Sequence, residues 1–110
     1  MLIVLGEKYE DWPDEIRSKV SDSYGTVLNY SLPEINSGDT KEVEEKAVYV
    51  FNMIAAAEDS CATQPKPFAV FLSQSVFLPF ACKLISFLSS SKIKVMSWNV
   101  TRDGFVEIGV

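Results

Sequence analysis

The segment from Phe68 to Trp98 constrains the fold more than any other part of the sequence. It opens with five consecutive apolar residues, Phe68 to Leu72, without the alternation of a half-exposed strand. Such a run is typical of a strand that is covered on both faces. The polar tripeptide Ser73-Gln74-Ser75, a long apolar run to Leu88 and a further apolar run from Ile93 follow. This order predicts the strand–turn–helix–strand unit of a parallel α/β sheet.

The rest of the chain extends this unit to the order βαβαβαββ. We predict strands at Leu2–Leu5, Thr26–Tyr30, Phe68–Leu72, Ile93–Trp98 and Phe105–Val110. Helical crossovers make the first four strands parallel, and Asp103-Gly104 is typical of a type I′ hairpin turn that adds the last strand antiparallel at an edge. Residues 1–110 contain no repeats or linkers and are therefore expected to form a single three-layer α/β domain.

Each predicted helix has a polar residue at its start. Asp11 with Asp14, and Asp39 with Glu42, have the spacing of a capping box, and Ser75 can cap the third helix. The apolar residues of the second and third helices extend around most of each cylinder, more widely than one sheet contact requires. Either these helices form a thick cover of the sheet, or part of their surface meets a second subunit.

Composition and motifs exclude several classes of function. The net charge of −5 argues against binding duplex nucleic acid, which requires many Lys and Arg residues facing phosphates. The chain has no histidine, which excludes His-based zinc sites and Ser-His-Asp triads. Gly6 stands alone after the first strand, so no glycine-rich phosphate loop is present. Cys61 and Cys82 do not form a CxxC pair and are typical of reduced thiols in the cytoplasm.

The apolar segment Phe68–Leu88 is long enough to raise the alternative of a membrane span. Pro79, Lys83 and the polar break at Ser73–Ser75 argue against it, because a lysine near the centre of a membrane helix costs about 2.5–3.5 kcal/mol. Met1–Leu5 is too short for a signal-peptide core and carries no basic leader. We therefore expect no membrane partner.

Ser73-Gln74-Ser75 is the strongest functional candidate, because it follows a central strand and opens a helix. Backbone N–H groups at such a position can bind phosphate, and the Gln74 amide can read a base edge or a ribose. The same tripeptide also suits a plain capping turn without a ligand. Lys8 and Arg102 could neutralise an anion if their loops converge, although isolated cations are usually ordinary surface residues.

The densest acidic run also follows the first strand, where response-regulator-like folds hold a metal ion. Its members are Glu7, Glu10, Asp11, Asp14 and Glu15. Helix capping and the positive end of the helix dipole explain the later residues equally well, and leave Glu7 and Glu10 as solvated surface.

Four features resemble the small stand-alone CRISPR-associated Rossmann-like proteins, which are related to CARF domains. They are the N-terminal strand Leu2–Leu5, the loop with Pro33, the strand, polar turn and apolar helix of Phe68–Leu88, and the final hairpin Ile93–Val110. The resemblance covers most of the chain. The loop Gly6–Lys8 lacks the Ser-His pair associated with that family.

The resemblance implies a Rossmann-like fold and a cyclic oligoadenylate bound across a homodimer at the carboxyl ends of the strands. By position it implicates Gly6, Glu7, Lys8, Ser73, Gln74, Ser75, Asn99 and Arg102 as ligand-binding residues. Some relatives cleave the messenger and others only sequester it. Because the chain lacks histidine and an evident general base, we expect binding in type III CRISPR antiviral signalling, without cofactor or metal. A metal-independent ring nuclease stays open.

Two alternatives come from other functional classes. A receiver-like or adaptor domain would bind a protein partner through its broad apolar helices and would need no ligand. A small enzyme would use the acidic run Glu7–Glu15 with Mg²⁺. A co-purified ligand would exclude the first alternative, and metal-dependent activity would identify the second.

Overall fold

Five strands, three α-helices and one short 3₁₀-helix make up residues 1–108, which the computed structural model describes. The strands are β1 (Leu2–Leu5), β2 (Val27–Tyr30), β3 (Ala69–Leu72), β4 (Lys94–Trp98) and β5 (Phe105–Ile108). The helices are α1 (Asp14–Tyr24), α2 (Thr40–Ser60) and α3 (Leu78–Ser90), and the 3₁₀-helix covers Tyr9–Asp11. The predicted end of the last strand, residues 109–110, lies outside this range.

The strands form one sheet in the order β2-β1-β3-β4-β5. Strands β1 to β4 are parallel, and β5 runs antiparallel to β4 with Phe105 opposite Trp98. This confirms the predicted Rossmann-like three-layer α/β fold. Leu5 of β1 pairs with Leu72 of β3, so the loops after β1, β3 and β4 leave the sheet at the same end. We call this end, marked by Leu5, Leu72 and Trp98, the carboxyl edge.

Both faces of the central strands are covered, as the unbroken apolar runs predict. Every residue of β1 and β3 is buried. Alternate side chains pack against α2 and α3 on one face, namely Ile3, Leu5, Val70 and Leu72. The others, Leu2, Val4, Ala69 and Phe71, pack on the opposite face with Trp12 and Val20. The period-2 geometry of a strand therefore divides one apolar run between two cores.

An aromatic cluster lies within the core on the α1 face. The ring centroid of Trp12 lies 4.8 Å from that of Phe71, 5.0 Å from that of Trp98 and 5.4 Å from that of Phe105. Edge-on and tilted contacts of this kind add to the free energy of simple burial. Trp12 thereby links the segment before α1 to the β4–β5 hairpin.

The broad apolar surfaces of α2 and α3 are explained largely by contact between the two helices. Phe51 and Phe87 have ring centroids 5.8 Å apart, and both helices also contribute buried side chains to the sheet core. Some apolar surface is left over: Tyr49 is 60% exposed and Leu78 is 71% exposed. Packing within one chain thus accounts for most of the apolar surface that suggested a second subunit.

One of the three predicted helix caps is confirmed and two are wrong. The Glu42 N–H donates to Asp39 Oδ1 at 2.8 Å at the start of α2. Asp11 instead lies in the 3₁₀-helix, and α1 begins at Asp14, directly after Pro13 and without a side-chain cap. Ser75 does not cap α3, which begins at Leu78.

Local geometry explains the late start of α3. The Ser75 N–H donates to Ser73 Oγ and the Val76 N–H donates to the Ser73 carbonyl, at 3.2 and 3.3 Å. These bonds close a separate turn before the helix, residues 73–76, which we call the serine turn. Pro79 stands in the first turn of α3, where its fixed φ and missing N–H are tolerated. The turn and the helix are therefore two successive elements.

The predicted type I′ turn at Asp103-Gly104 is also wrong. Arg102 has a positive φ of 59°, whereas neither Asp103 nor Gly104 does. The chain crosses from β4 to β5 through the longer loop 99–104, closed by a bond of 2.9 Å from the Asn99 N–H to the Gly104 carbonyl. Side-chain bonds between Asn99 and Asp103 stabilise this loop in place of a two-residue turn.

The segment Phe68–Leu88 divides into β3, the serine turn and the first part of α3. Within residues 1–108, no helix combines the length and the apolar character that crossing a membrane requires.

Candidate functional site

The loops that follow β1 and β3 touch each other at the carboxyl edge. Gly6 has a φ of +85°, and a Cβ atom there would lie 2.5 Å from Val76 Cγ2 and 2.9 Å from Ser73 Cβ. Ser75 Oγ also donates to the Gly6 carbonyl at 3.4 Å. Glycine is therefore required at position 6 for two independent reasons, its backbone conformation and its contact with the serine turn.

The serine turn satisfies several of its own polar groups. Ser73 is buried, and its Oγ lies 2.9 Å from Ser75 Oγ besides accepting the Ser75 N–H. The Ser75 amide predicted to hold a phosphate is thus already bonded inside the turn, whereas Gln74 and the Ser75 side chain face the surface.

Gln74 connects the serine turn to β4. Its Nε2 donates to the Trp98 carbonyl at 3.3 Å. Beside it lies an open cavity of about 360 Å³, lined by Gln74, Ser97, Trp98, Asn99, Val100, Val106 and Ile108. Most of this lining is apolar, and its polar members come from the turn and from the end of β4.

Glu7 lies at the centre of a group of aromatic and charged side chains. Its Oε1 accepts the indole N–H of Trp98 at 2.6 Å and that of Trp12 at 3.2 Å. Its Oε2 lies 3.8 Å from Arg102 Nη2, and the Arg102 guanidinium carbon lies 5.2 Å from the centre of the Trp98 ring. Glu7 is only 22% exposed at its side chain, in contrast to the surface role considered for it, whereas Arg102 is 62% exposed.

Asn29 is a positioning residue that the sequence analysis missed. Its Nδ2 donates to the carbonyls of Val4 and Glu7 at 3.1 and 3.0 Å, and its Oδ1 accepts the Tyr9 N–H at 2.7 Å. These bonds hold the loop that carries Glu7 against β2. The only signal in the sequence is an asparagine inside a predicted strand, where this residue type is uncommon.

Asn99 is used inside the β4–β5 loop. Its Nδ2 donates to Asp103 Oδ1 at 2.7 Å and its Oδ1 accepts the Asp103 N–H at 3.2 Å, while the single hydroxyl proton of Thr101 goes to Asp103 Oδ1 at 2.6 Å. The hydroxyl of Thr101 and the amide of Asn99 lower the pKa of Asp103 by donating to its carboxylate. Asn99 therefore shapes the loop that presents Arg102, although it also lines the cavity beside Gln74.

Six of the eight candidate residues fall into two groups at the carboxyl edge. Gly6, Ser73 and Ser75 contact one another beside Gln74, and Glu7 separately pairs with Arg102. Asn99 belongs to the same edge through the cavity and its loop. Lys8 is exposed, and in the described part of the chain its side chain makes no hydrogen bond or ion pair. Its carbonyl accepts the Asp11 N–H at the start of the 3₁₀-helix.

The acidic run after β1 does not assemble a metal centre. Asp14 pairs with Arg17, and Glu15 lies 3.5 Å from Lys19 along α1. No group of three or more potential metal-ligating side chains is found in residues 1–108. Glu7 points instead to the two indoles.

Comparisons with protein-family models, with curated proteins and with solved structures find no match to this chain. The class that the fold defines is a Rossmann-like α/β domain.

Proposed function

We propose that this domain binds a small phosphorylated nucleotide at the carboxyl edge, with a cyclic oligoadenylate of type III CRISPR signalling as the specific candidate. One observation carries the proposal. Arg102, Gln74 and Ser75 present a cation, an amide and a hydroxyl on loops that leave the sheet at the same end, where ligands bind in open parallel sheets. The choice of a cyclic oligoadenylate rests on the family resemblance.

Each ligand group has a matching partner in this arrangement. The exposed guanidinium of Arg102 suits a phosphate, because guanidinium and phosphate form paired, charge-assisted hydrogen bonds. The cavity beside Gln74 suits a nucleobase, because Val100 and Val106 supply apolar contact and the Gln74 amide can bond to a base edge. Ligand phosphate would thus be held mainly by the arginine rather than by the amides of the serine turn.

The size of the cavity supports a homodimer. At about 360 Å³ it lies near the lower end of the range for small-molecule sites, which is roughly 300–1,000 Å³. A cyclic oligoadenylate carries several nucleotides, so two copies of the site on two subunits are needed to cover it. We therefore include a homodimer in the proposal.

Sequestration is favoured over cleavage. The chain has no histidine, and the Glu7 carboxylate already accepts two indole hydrogen bonds, so it is poorly placed to remove a proton from a ribose hydroxyl. If the protein is an enzyme, it is a metal-independent ring nuclease that works by orienting the 2′-hydroxyl for in-line attack. A cytoplasmic location belongs to this proposal, and the free thiols Cys61 and Cys82 support it.

Calorimetric titration with cyclic tri-, tetra- and hexa-adenylate tests the proposal. We expect one of the three to bind with one ring per two chains, and Arg102→Gln to weaken binding at least several-fold. Lys92→Gln is the matched control, because Lys92 is a second exposed cation with positive φ, at the end of α3. Folded protein that releases no heat with any of the three rings would reject the proposal. Incubation of the bound ring followed by chromatography separates binding from cleavage.

The second candidate function is that of a protein-interaction module without a ligand. The observation that favours it is the apolar surface left on the helices, where Tyr49 and Leu78 are strongly exposed. In that case Tyr49→Ser would remove binding to a partner, and Arg102→Gln would leave it unchanged. The nucleotide proposal requires the opposite pattern for the cyclic ligands.

A further inference from the structure

Arg102 is held in an unusual backbone conformation by the loop around it. Its φ of 59° is one that residues with a Cβ atom adopt rarely, and Gly104 nearby does not take it. Thr101 Oγ1 and Asn99 Nδ2 both donate to Asp103 Oδ1, at 2.6 and 2.7 Å, and fix the loop on either side. The loop therefore maintains a costly backbone conformation at Arg102, whose guanidinium lies over the Trp98 ring. Residues in sparsely populated backbone conformations are concentrated at binding sites.

The partner of Arg102 is fixed more firmly than Arg102 itself. Glu7 Oε1 is anchored by the two indole N–H groups, and the Glu7 carbonyl is held by Asn29. The contact between Glu7 Oε2 and Arg102 Nη2 is 3.8 Å, longer than a hydrogen bond. A phosphate could bond to the same guanidinium at about 2.7–2.9 Å through two oxygens.

We propose that Glu7 is a built-in counter-ion for Arg102 that the phosphate of the ligand must displace. The inference rests on the proposed function and adds how the anion affinity of that site is regulated. On binding, the guanidinium exchanges the long contact with Glu7 for two hydrogen bonds to phosphate, and moves away from the Trp98 ring. Glu7 cannot follow it, so its negative charge stays beside the phosphate and limits the affinity.

Glu7→Gln is the decisive substitution, because its side-chain oxygen can still accept the indole hydrogen bonds while the charge is lost. We expect it to bind inorganic pyrophosphate between about 1.5- and 5-fold more tightly than wild type, the range of an exposed ion pair. Glu10→Gln is the matched control, since Glu10 is exposed on the neighbouring 3₁₀-helix and the substitution changes the net charge equally. In an Arg102→Gln background, Glu7→Gln should produce no such gain.

Wild-type fluorescence provides a second test that needs no stable Glu7 variant. The protein has two tryptophans, and both donate to Glu7. Pyrophosphate should change their emission in wild type as Arg102 leaves Trp98, and should leave the emission of Arg102→Gln unchanged. Equal pyrophosphate affinity in Glu7→Gln and wild type, or an emission change that persists without Arg102, would overturn the inference.

Parallel titrations with the cyclic adenylates separate this inference from the proposed function. A pyrophosphate gain in Glu7→Gln without binding of any ring supports the counter-ion role and rejects the nucleotide proposal. A ring that binds wild type and Glu7→Gln equally well supports the nucleotide proposal and rejects the counter-ion role. Folded protein that binds neither pyrophosphate nor a ring rejects both.

Discussion

Glu7 accepts a hydrogen bond from the indole N–H of Trp98 at 2.6 Å across 91 positions of the sequence. The same carboxylate oxygen accepts the indole N–H of Trp12. One side chain therefore joins the β1 loop, the segment before α1 and the end of β4. Because both indoles lie in the aromatic core, Glu7 connects the stability of the α1 face to the geometry of the carboxyl edge.

Replacing Glu7 should show this connection directly. Glu7→Ala leaves two largely buried indole N–H groups without an acceptor, at a cost of about 1–3 kcal/mol for each. Glu7→Gln keeps an acceptor oxygen and should cost less than about 1 kcal/mol. Urea unfolding followed by tryptophan emission measures both variants. Equal destabilisation by Ala and Gln would show that the charge of Glu7, and not its hydrogen bonds, stabilises the cluster.

Gly6→Ala should be among the most damaging small substitutions in the chain. The positive φ alone costs about 1–2 kcal/mol for a residue with a Cβ atom, and the added methyl group meets Val76 and Ser73 at less than 3 Å. We expect a loss of about 2 kcal/mol or more in the free energy of unfolding. Gly104→Ala is the control, because Gly104 has no positive φ and a Cβ there lies 3.6 Å from Asn99 Nδ2. It should stay within about 0.5 kcal/mol of wild type.

The strands and the β4–β5 loop show which parts of the fold could be predicted from the sequence and which could not. Strands such as Leu2–Leu5 follow from local apolar patterns, so their positions and parallel order could be predicted. The hairpin at Asp103-Gly104 was predicted from a dipeptide preference. The actual loop depends on bonds from Asn99, four positions earlier, which compete successfully with a two-residue turn.

The candidate site shows the same division. Its place at the carboxyl edge follows from topology, and so does the meeting of Gly6 with Ser73. The role of Glu7 could not be predicted, because it depends on two indoles whose positions are set by tertiary packing of the aromatic core. An acidic residue in an acidic run gives no sign that it alone is turned inward.

Glu42 gives the fold a specific sensitivity to acid. Its carboxylate accepts the backbone N–H groups of Asn36, Ser37 and Gly38 at 2.7–2.9 Å and pairs with Lys46. These hydrogen bonds, with that of Asn36 the largest cause, hold the pKa of Glu42 well below its ordinary value of 4.5. Because the folded state favours the ionised form, the stabilisation is complete above pH about 4.5 and declines as the pH falls below that value.

Glu42→Gln tests this effect against Glu45→Gln, an exposed neighbour on α2 that undergoes the same charge change. The difference in Tm between wild type and Glu42→Gln should be large near neutral pH and should shrink below pH about 4. Glu45→Gln should stay close to wild type throughout. A Glu42→Gln difference that is constant from neutral pH to pH about 3 would contradict ionisation of Glu42 as its cause.

The homodimer is tested most cleanly by comparing an exposed with a packed apolar residue. Leu78 is 71% exposed at the start of α3, so Leu78→Glu should leave the free energy of unfolding within about 0.5 kcal/mol of wild type. Phe51 packs on Phe87 between α2 and α3, and Phe51→Glu should unfold or strongly destabilise the chain.

Sedimentation of wild type at tens of micromolar should show a dimer. This concentration is well above a Kd of about 1 μM, which corresponds to an association free energy of roughly 8 kcal/mol. If Leu78 lies in the interface, Leu78→Glu gives folded monomers, and if the site at the carboxyl edge spans two subunits, the same variant also loses the cyclic ligand. A wild-type chain that sediments as a monomer, with or without ligand, would contradict the dimer.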